Sequence, residues 1–134
     1  MSSILINKIL YYLMQKNNFL NIESDKRPWG IYYVIHDEEF YKVKRIEVLP
    51  KQRLSYQFHY KRSETWIIVK GEGEITINGV TKKCKQGDTI TIAKKEKHRI
   101  ANTSDDILIF IEVQHGDYFG EDDIVRIEDD YNRS

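Results

Sequence analysis

The chain has 134 residues, of which 40% are hydrophobic and 31% charged, with 21 basic side chains against 21 acidic ones. That composition suits one soluble globular domain with its own core and excludes a disordered or membrane-embedded chain. Balanced charge gives no global attraction to nucleic acid or to an anionic membrane, so any anionic ligand must be held by a local cluster.

The N-terminal stretch "MSSILINKILYYLMQKNNFL" repeats apolar residues at Leu5, Ile6, Ile9, Leu10 and Leu13. This is helical spacing, and it predicts a short amphipathic helix that packs on the domain body or on a second subunit. Lys8 interrupts the run, no cationic segment precedes it, no small-residue cleavage site follows, and the run is too short to cross a bilayer. A cytoplasmic location is the expectation. Cys84 is the only cysteine, which rules out an intrachain disulfide and agrees with a reducing compartment. Lys83 and Lys85 flank it and could activate the thiol, but a plain strand position is the better reading.

Pro28 and Gly30 then punctuate an irregular entry into a sheet. Strand-like segments follow at 30–35, 41–49, 54–60, 65–70, 73–77, 80–84, 89–92, 98–102 and 107–113. Asn78-Gly79 is a two-residue hairpin signal, and "KGEG" and "KQGD" are further turns. Many short strands with regular turns indicate an all-β sandwich or barrel. The division is residues 1–26 for the helix and lead-in, and 27–134 for the barrel with a tail that turns acidic after Gly116.

The polar stretch "LSYQFHYKRSETW" interrupts this apolar strand pattern. Alternation puts Ser55, Gln57 and His59 on one strand face, and a turn over 61–63 returns Glu64 to it. His98 opens a later strand after a charged loop. Gln57, His59, Glu64 and His98 would bring two imidazoles and two oxygens to one point. Such a mixed set suits a borderline divalent ion, zinc first, with manganese, cobalt, nickel and iron(II) also admissible. So few protein ligands leave coordination positions open. A lone strand histidine is more often structural; the combination of spacings carries the metal reading.

Those spacings resemble the two motifs of the cupin superfamily. Gln57-x-His59, four residues, Glu64, six residues, Gly71 follows the first motif, although Lys51 stands where its opening glycine is usual. Gly87, His98 and Asn102 follow the second, with Ala93 and Lys95 in place of its proline and glycine. The resemblance implies a double-stranded β-helix, a jelly-roll barrel, behind the N-terminal helix. "RPWGIYYV", "YKVKRIEVLP" and "IEVQHGDYFGEDDIVRIEDDY" further resemble the type II mannose-6-phosphate isomerase domain, over roughly 27–133. That domain usually follows a mannose-1-phosphate guanylyltransferase, whose Gly-rich nucleotide motif this sequence lacks, so a stand-alone domain is expected. Thr65 departs from the family's usual histidine, and alternation turns it away from the metal side.

The resemblance implies interconversion of mannose 6-phosphate and fructose 6-phosphate through an enediolate stabilised by the metal, for the supply of activated mannose. Glu64, His98 and the acidic tail remain open as the proton-transferring base. Arg62, in the turn between His59 and Glu64, would hold phosphate or an enediolate oxygen and act with Glu64 as a catalytic group. Lys44, sharing a face with Lys42, would meet the phosphate if it points inward. Arg53, Arg126, Glu121 and Asp122 complete the expected substrate-binding set. The competing expectation is a non-catalytic sugar-phosphate-binding or regulatory cupin. The resemblance also implies a homodimer, with a hexose phosphate as ligand and no nucleic-acid or membrane partner.

Overall fold

The computed structural model describes residues 2–20 and 22–133, with 12–20 placed as backbone alone. In chain order these form α1 (Ser3–Leu20), β1 (Glu23–Arg27), β2 (Gly30–Asp37), β3 (Tyr41–Val48), β4 (Tyr56–Phe58), β5 (Arg62–Lys70), β6 (Glu72–Ile77), β7 (Val80–Lys85), β8 (Thr89–Ile92), β9 (His98–Ala101), β10 (Leu108–Gly116) and β11 (Val125–Glu128). A six-stranded sheet runs β1-β2-β3-β10-β5-β8 and a five-stranded sheet runs β11-β4-β9-β6-β7. The two inner faces enclose one core, so the expected cupin barrel is the fold.

Register explains where that core stops and the polar interior begins. Across the large sheet, one inward row is Ile46, Phe110 and Ile68. The next inward row is Lys44, Glu112, Trp66 and Ile90, and the one after it is Lys42, Gln114, Glu64 and Ile92. Strand alternation therefore replaces an apolar layer by two polar layers within about 14 Å of strand, at roughly 3.4 Å per residue. The facing sheet follows the same division, with Ile75 and Ile100 in the apolar core and Gln57 paired in register with His98 beyond them.

Two backbone positions hold this arrangement. Asn78 and Gly79 both have positive φ, 47° and 81°, as the tight turn of the β6–β7 hairpin requires. Gly116 has φ 146°, and a Cβ there would lie 2.4 Å from the Lys61 carbonyl oxygen. Glycine thus lets β10 close on β5 opposite Arg62.

Several expectations need adjustment. The sheet begins at Glu23, because "ESDKR" pairs with β2 as an edge strand whose exposed charged side chains carry no apolar alternation. β11 likewise arises from the acidic tail and pairs with β4. Arg62 opens strand β5 and is buried, so it does not occupy a turn at the lip. The helix does form, but Ile4, Leu5, Ile6, Ile9 and Leu10 are exposed, so these residues do not pack on the barrel; Leu13 lies outside the residues whose side chains are described. Among the described residues no helix is long and apolar enough to cross a membrane.

Candidate metal and anion site

His59, Glu64 and His98 are all buried, and a donor atom from each lies within 4.8 Å of the other two. They arrive from three places: the residue that follows β4, the inner face of β5 and the first residue of β9. His59 Nε2 stands 3.0 Å from Glu64 Oε1, and His98 Nε2 stands 3.6 Å from the same oxygen. His59 Nδ1 lies 2.7 Å from the Asp123 backbone carbonyl, and His98 Nδ1 lies 2.8 Å from that of Glu96. A carbonyl only accepts, so each Nδ1 donates to its carbonyl and each Nε2 is the ring nitrogen turned towards Glu64. This is how carbonyl partners orient imidazoles that bind a metal.

The donor chemistry fits a divalent cation. Glu64 Oε1 and His98 Nε2 are buried and make no hydrogen bond. In the form that binds a metal, two imidazole lone pairs and a carboxylate oxygen face one another in a buried space and repel unless positive charge lies between them. Arg62 supplies some of that charge from one side, with Nε 3.7 Å from Glu64 Oε1 and Nη2 donating to His59 Nε2 at 3.4 Å.

Glu112 and Gln114, not singled out from the sequence, belong to the same interior. Trp66 Nε1 donates to Glu112 Oε1 at 3.0 Å and to Glu64 Oε2 at 3.3 Å, while Gln114 Nε2 donates to Glu112 Oε2 at 3.0 Å. Burial pushes both carboxyl groups up. For Glu64, the contact with Glu112 and the charge of Arg62 overcome burial and hold it well below the usual range. For Glu112, the nearby Glu64 charge adds to burial and holds it well above. Glu64 is therefore the ionised member of the pair and Glu112 the neutral one. Alternation could have revealed them, since Glu112 and Gln114 share the inner face of β10 with Leu108 and Phe110.

A cavity opens beside this cluster, lined by Gln57, His59, Arg62 and Glu112 and, further out, by Lys44, Glu121, Arg126, Arg27 and Arg133. Gln57 faces it as expected, its Oε1 accepting from Ser55 Oγ at 2.9 Å. Lys44 does point inward: it is buried and donates to Glu121 Oε1, with its Nζ 4.1 Å from the centre of the Tyr32 ring. Arg27 and Arg133 join the lining from β1 and the C-terminal segment, beyond the expected set.

Two expected residues lie elsewhere. Arg53 is half-exposed, outside the cavity lining, and donates through Nε and Nη2 to Asp130 at 2.7 and 2.8 Å. Asp122 also lies outside the lining and accepts from the Tyr118 hydroxyl. Its neighbour Asp123 is buried, and its carboxylate caps the backbone N–H groups of Tyr60 and Lys61. Thr65 lies on the opposite strand face from Glu64, as alternation requires. Cys84 is buried, and its thiol is pushed up to about 11, burial being the main cause, so it is not an activated nucleophile.

Comparison with known proteins adds what geometry does not carry. A family model described as mannose-6-phosphate isomerase C-terminal matches residues 15–129. A mannose-1-phosphate guanylyltransferase of Salmonella montevideo is 46% identical over 131 residues, covering 96% of this chain and 28% of that protein. The mannose-1-phosphate guanylyltransferase ManC of Salmonella typhimurium is 44% identical over 107 residues, covering 80% of this chain and 22% of its own. The chain thus spans about a quarter of the length of these curated relatives. Among solved structures, a Klebsiella pneumoniae protein with a double-stranded β-helix domain superposes with a TM-score of 0.69 at 20% identity, covering 84% of this chain and 95% of that one. That likeness establishes the fold alone. The relatives also overturn the expected activity: they are named for guanylyl transfer to mannose 1-phosphate, not for aldose–ketose isomerisation. The isomerase assignment is withdrawn, and with it the catalytic roles given to Arg62 and Glu64 in an enediolate mechanism.

Proposed function

The chain belongs to the mannose-6-phosphate isomerase C-terminal family, and from that premise we propose that it is a metal-holding, sugar-phosphate-binding cupin serving GDP-mannose synthesis. The observation that carries this reading is the adjacency of two unlike groups. A buried His59–Glu64–His98 set with partnerless donor atoms lies beside a cavity lined by Lys44, Arg62 and Arg126. The first suits a cation and the second an anion.

His59, Glu64 and His98 would hold the metal, with Gln57 on the same face as the fourth candidate. Two imidazole nitrogens and a carboxylate favour zinc among the borderline divalent ions. When bound, such an ion supplies positive charge that attracts ligand oxygens at the cavity floor. The chain's own groups do the rest. Arg62 has Nε and Nη1 buried without a hydrogen-bond partner, which suits a charge-assisted contact to a ligand oxygen. Tyr32 and Trp29 give the cavity an apolar wall against which a sugar ring can lie. Mannose 1-phosphate, the substrate in the relatives' names, is the ligand this pairing supports.

Calorimetric titration of metal-stripped protein with each divalent ion, then with sugar, tests the reading. Zinc should bind most tightly, and the zinc-loaded protein should bind mannose 1-phosphate but not mannose. If the zinc-loaded protein takes up neither sugar, or both equally, the phosphate-recognition reading fails.

A further inference from the structure

We propose that Glu121 is a built-in stand-in for the ligand's anionic group: its carboxylate occupies the subsite formed by Lys42 and Lys44, and a phosphate enters by displacing it. The inference rests on the reading of the cavity as a sugar-phosphate site and adds where the phosphate goes and what keeps the place beforehand.

Lys42 and Lys44 occupy successive inward positions of β3, with side chains only 11% and 4% exposed. Two buried ammonium groups side by side are costly without a counter-charge. Both look to one oxygen. Lys44 Nζ donates to Glu121 Oε1, and Lys42 Nζ lies 4.0 Å from the same atom while donating to the Phe119 carbonyl at 3.5 Å. The carboxyl group aligned with Lys44 across the sheet, Glu112, is the neutral one of its pair and is already engaged by Trp66 and Gln114. Glu121 is therefore the ionic partner that both lysines share.

Glu121 differs from its partners in how it is held. The lysines belong to the interior of a sheet, whereas Glu121 lies between β10 and β11, with a side chain 45% exposed. The segment around it is pinned on both sides, by buried Phe119 and by Asp123 capping Tyr60 and Lys61. Removing the Glu121 side chain from the subsite breaks its lysine contacts and leaves those anchors in place. A phosphate carries up to two negative charges and three acceptor oxygens, so it can give each lysine its own oxygen where Glu121 offers both the same one. A neutral sugar cannot make this exchange. The device thus keeps the cationic pair paired when empty and admits only an anion that outcompetes a carboxylate.

Phosphate titrations of metal-stripped wild type, Glu121→Gln and Glu121→Ala by calorimetry test the idea without contribution from metal. Both variants should bind inorganic phosphate about tenfold more tightly than wild type, the size of one lost charge-assisted competitor. Adding Lys44→Met to either variant should abolish the gain. Unchanged or weaker phosphate binding in both Glu121 variants overturns the inference. If wild type then still binds mannose 1-phosphate in its zinc-loaded form, the sugar-phosphate reading survives that failure. If neither wild type nor variant binds any phosphate compound, both fall together.

Discussion

At one end of the polar interior, beside the cavity, Glu64 Oε1 and His98 Nε2 lie 3.6 Å apart with no hydrogen bond; at the other, Glu121 already meets Lys44 and Lys42. Glu64 on β5 and the lysines on β3 share one sheet with β10 between them, Lys42 in the same row as Glu64 and Lys44 one inward row away, while the imidazoles come from the facing sheet. They are balanced differently. The imidazole end is fixed by rigid partners, two backbone carbonyls and an indole, yet leaves its central donors unsatisfied. The lysine end is closed on itself through a loop residue. An unsatisfied but rigid set is suited to an ion of fixed geometry, whereas a set satisfied by a loop carboxylate is suited to exchange.

The largest effect that separates the two ends should come from His98→Ala. Disturbing the groups behind a metal ligand costs about 10–100-fold in affinity, so losing the ligand itself should lower zinc affinity by more than ~100-fold. Chelation should lower the melting temperature of wild type and leave that of His98→Ala unmoved, because only the former gains stability from bound metal. Equal zinc affinities in the two proteins would remove the metal from this end altogether.

Trp66→Phe tests the rigidity claimed for that end. It deletes the N–H shared by Glu64 and Glu112 and leaves a void against Phe110, whose ring centre lies 4.5 Å from that of Trp66. The combined loss of a buried donor and of packing volume should cost about 2–4 kcal/mol by denaturant unfolding. A cost below about 1 kcal/mol would mean the carboxylates find other donors readily and the interior is softer than drawn.

Lys44→Met asks whether the ends act independently. Mannose 1-phosphate affinity of the zinc-loaded protein should fall about tenfold, while zinc affinity stays unchanged. Parallel losses of both would show that the lysine row supports the imidazoles, and the contrast between the ends would collapse.

How far the chain could be read in advance follows the same division. His59 and Glu64 were legible because strand alternation and a short spacing bring them together, whereas His98, on a strand of the facing sheet, was legible only through the spacing of the second motif. Lys44 was legible as a possibility; its inward direction became certain only through its register opposite Glu112. Glu112 and Gln114 were passed over because "ILIFIEVQHG" reads as an apolar strand, although the outer face supplies most of that apolarity. Arg53 was assigned to the ligand by residue type and Asp122 by the resemblance of the acidic tail, criteria blind to the neighbours that hold them, Asp130 and Tyr118. β1 and β11 escaped because pairing, and not side-chain pattern, makes them strands. The name of the reaction was the least legible of all: relatives that share these motifs carry a different one.

Arg53→Ala should have the smallest effect, and it bounds the cavity from outside. The pair with Asp130 has good geometry but is exposed on both sides, 43% and 42%, so its removal should cost at most about 1 kcal/mol and less in high salt. Zinc and mannose 1-phosphate affinities should be unchanged, in contrast to Lys44→Met. A fall in sugar-phosphate affinity with intact zinc binding would instead extend the anion path around the barrel to the C-terminal segment. The lysine end would then be one part of a longer cationic track, and the self-closed description of it would no longer hold.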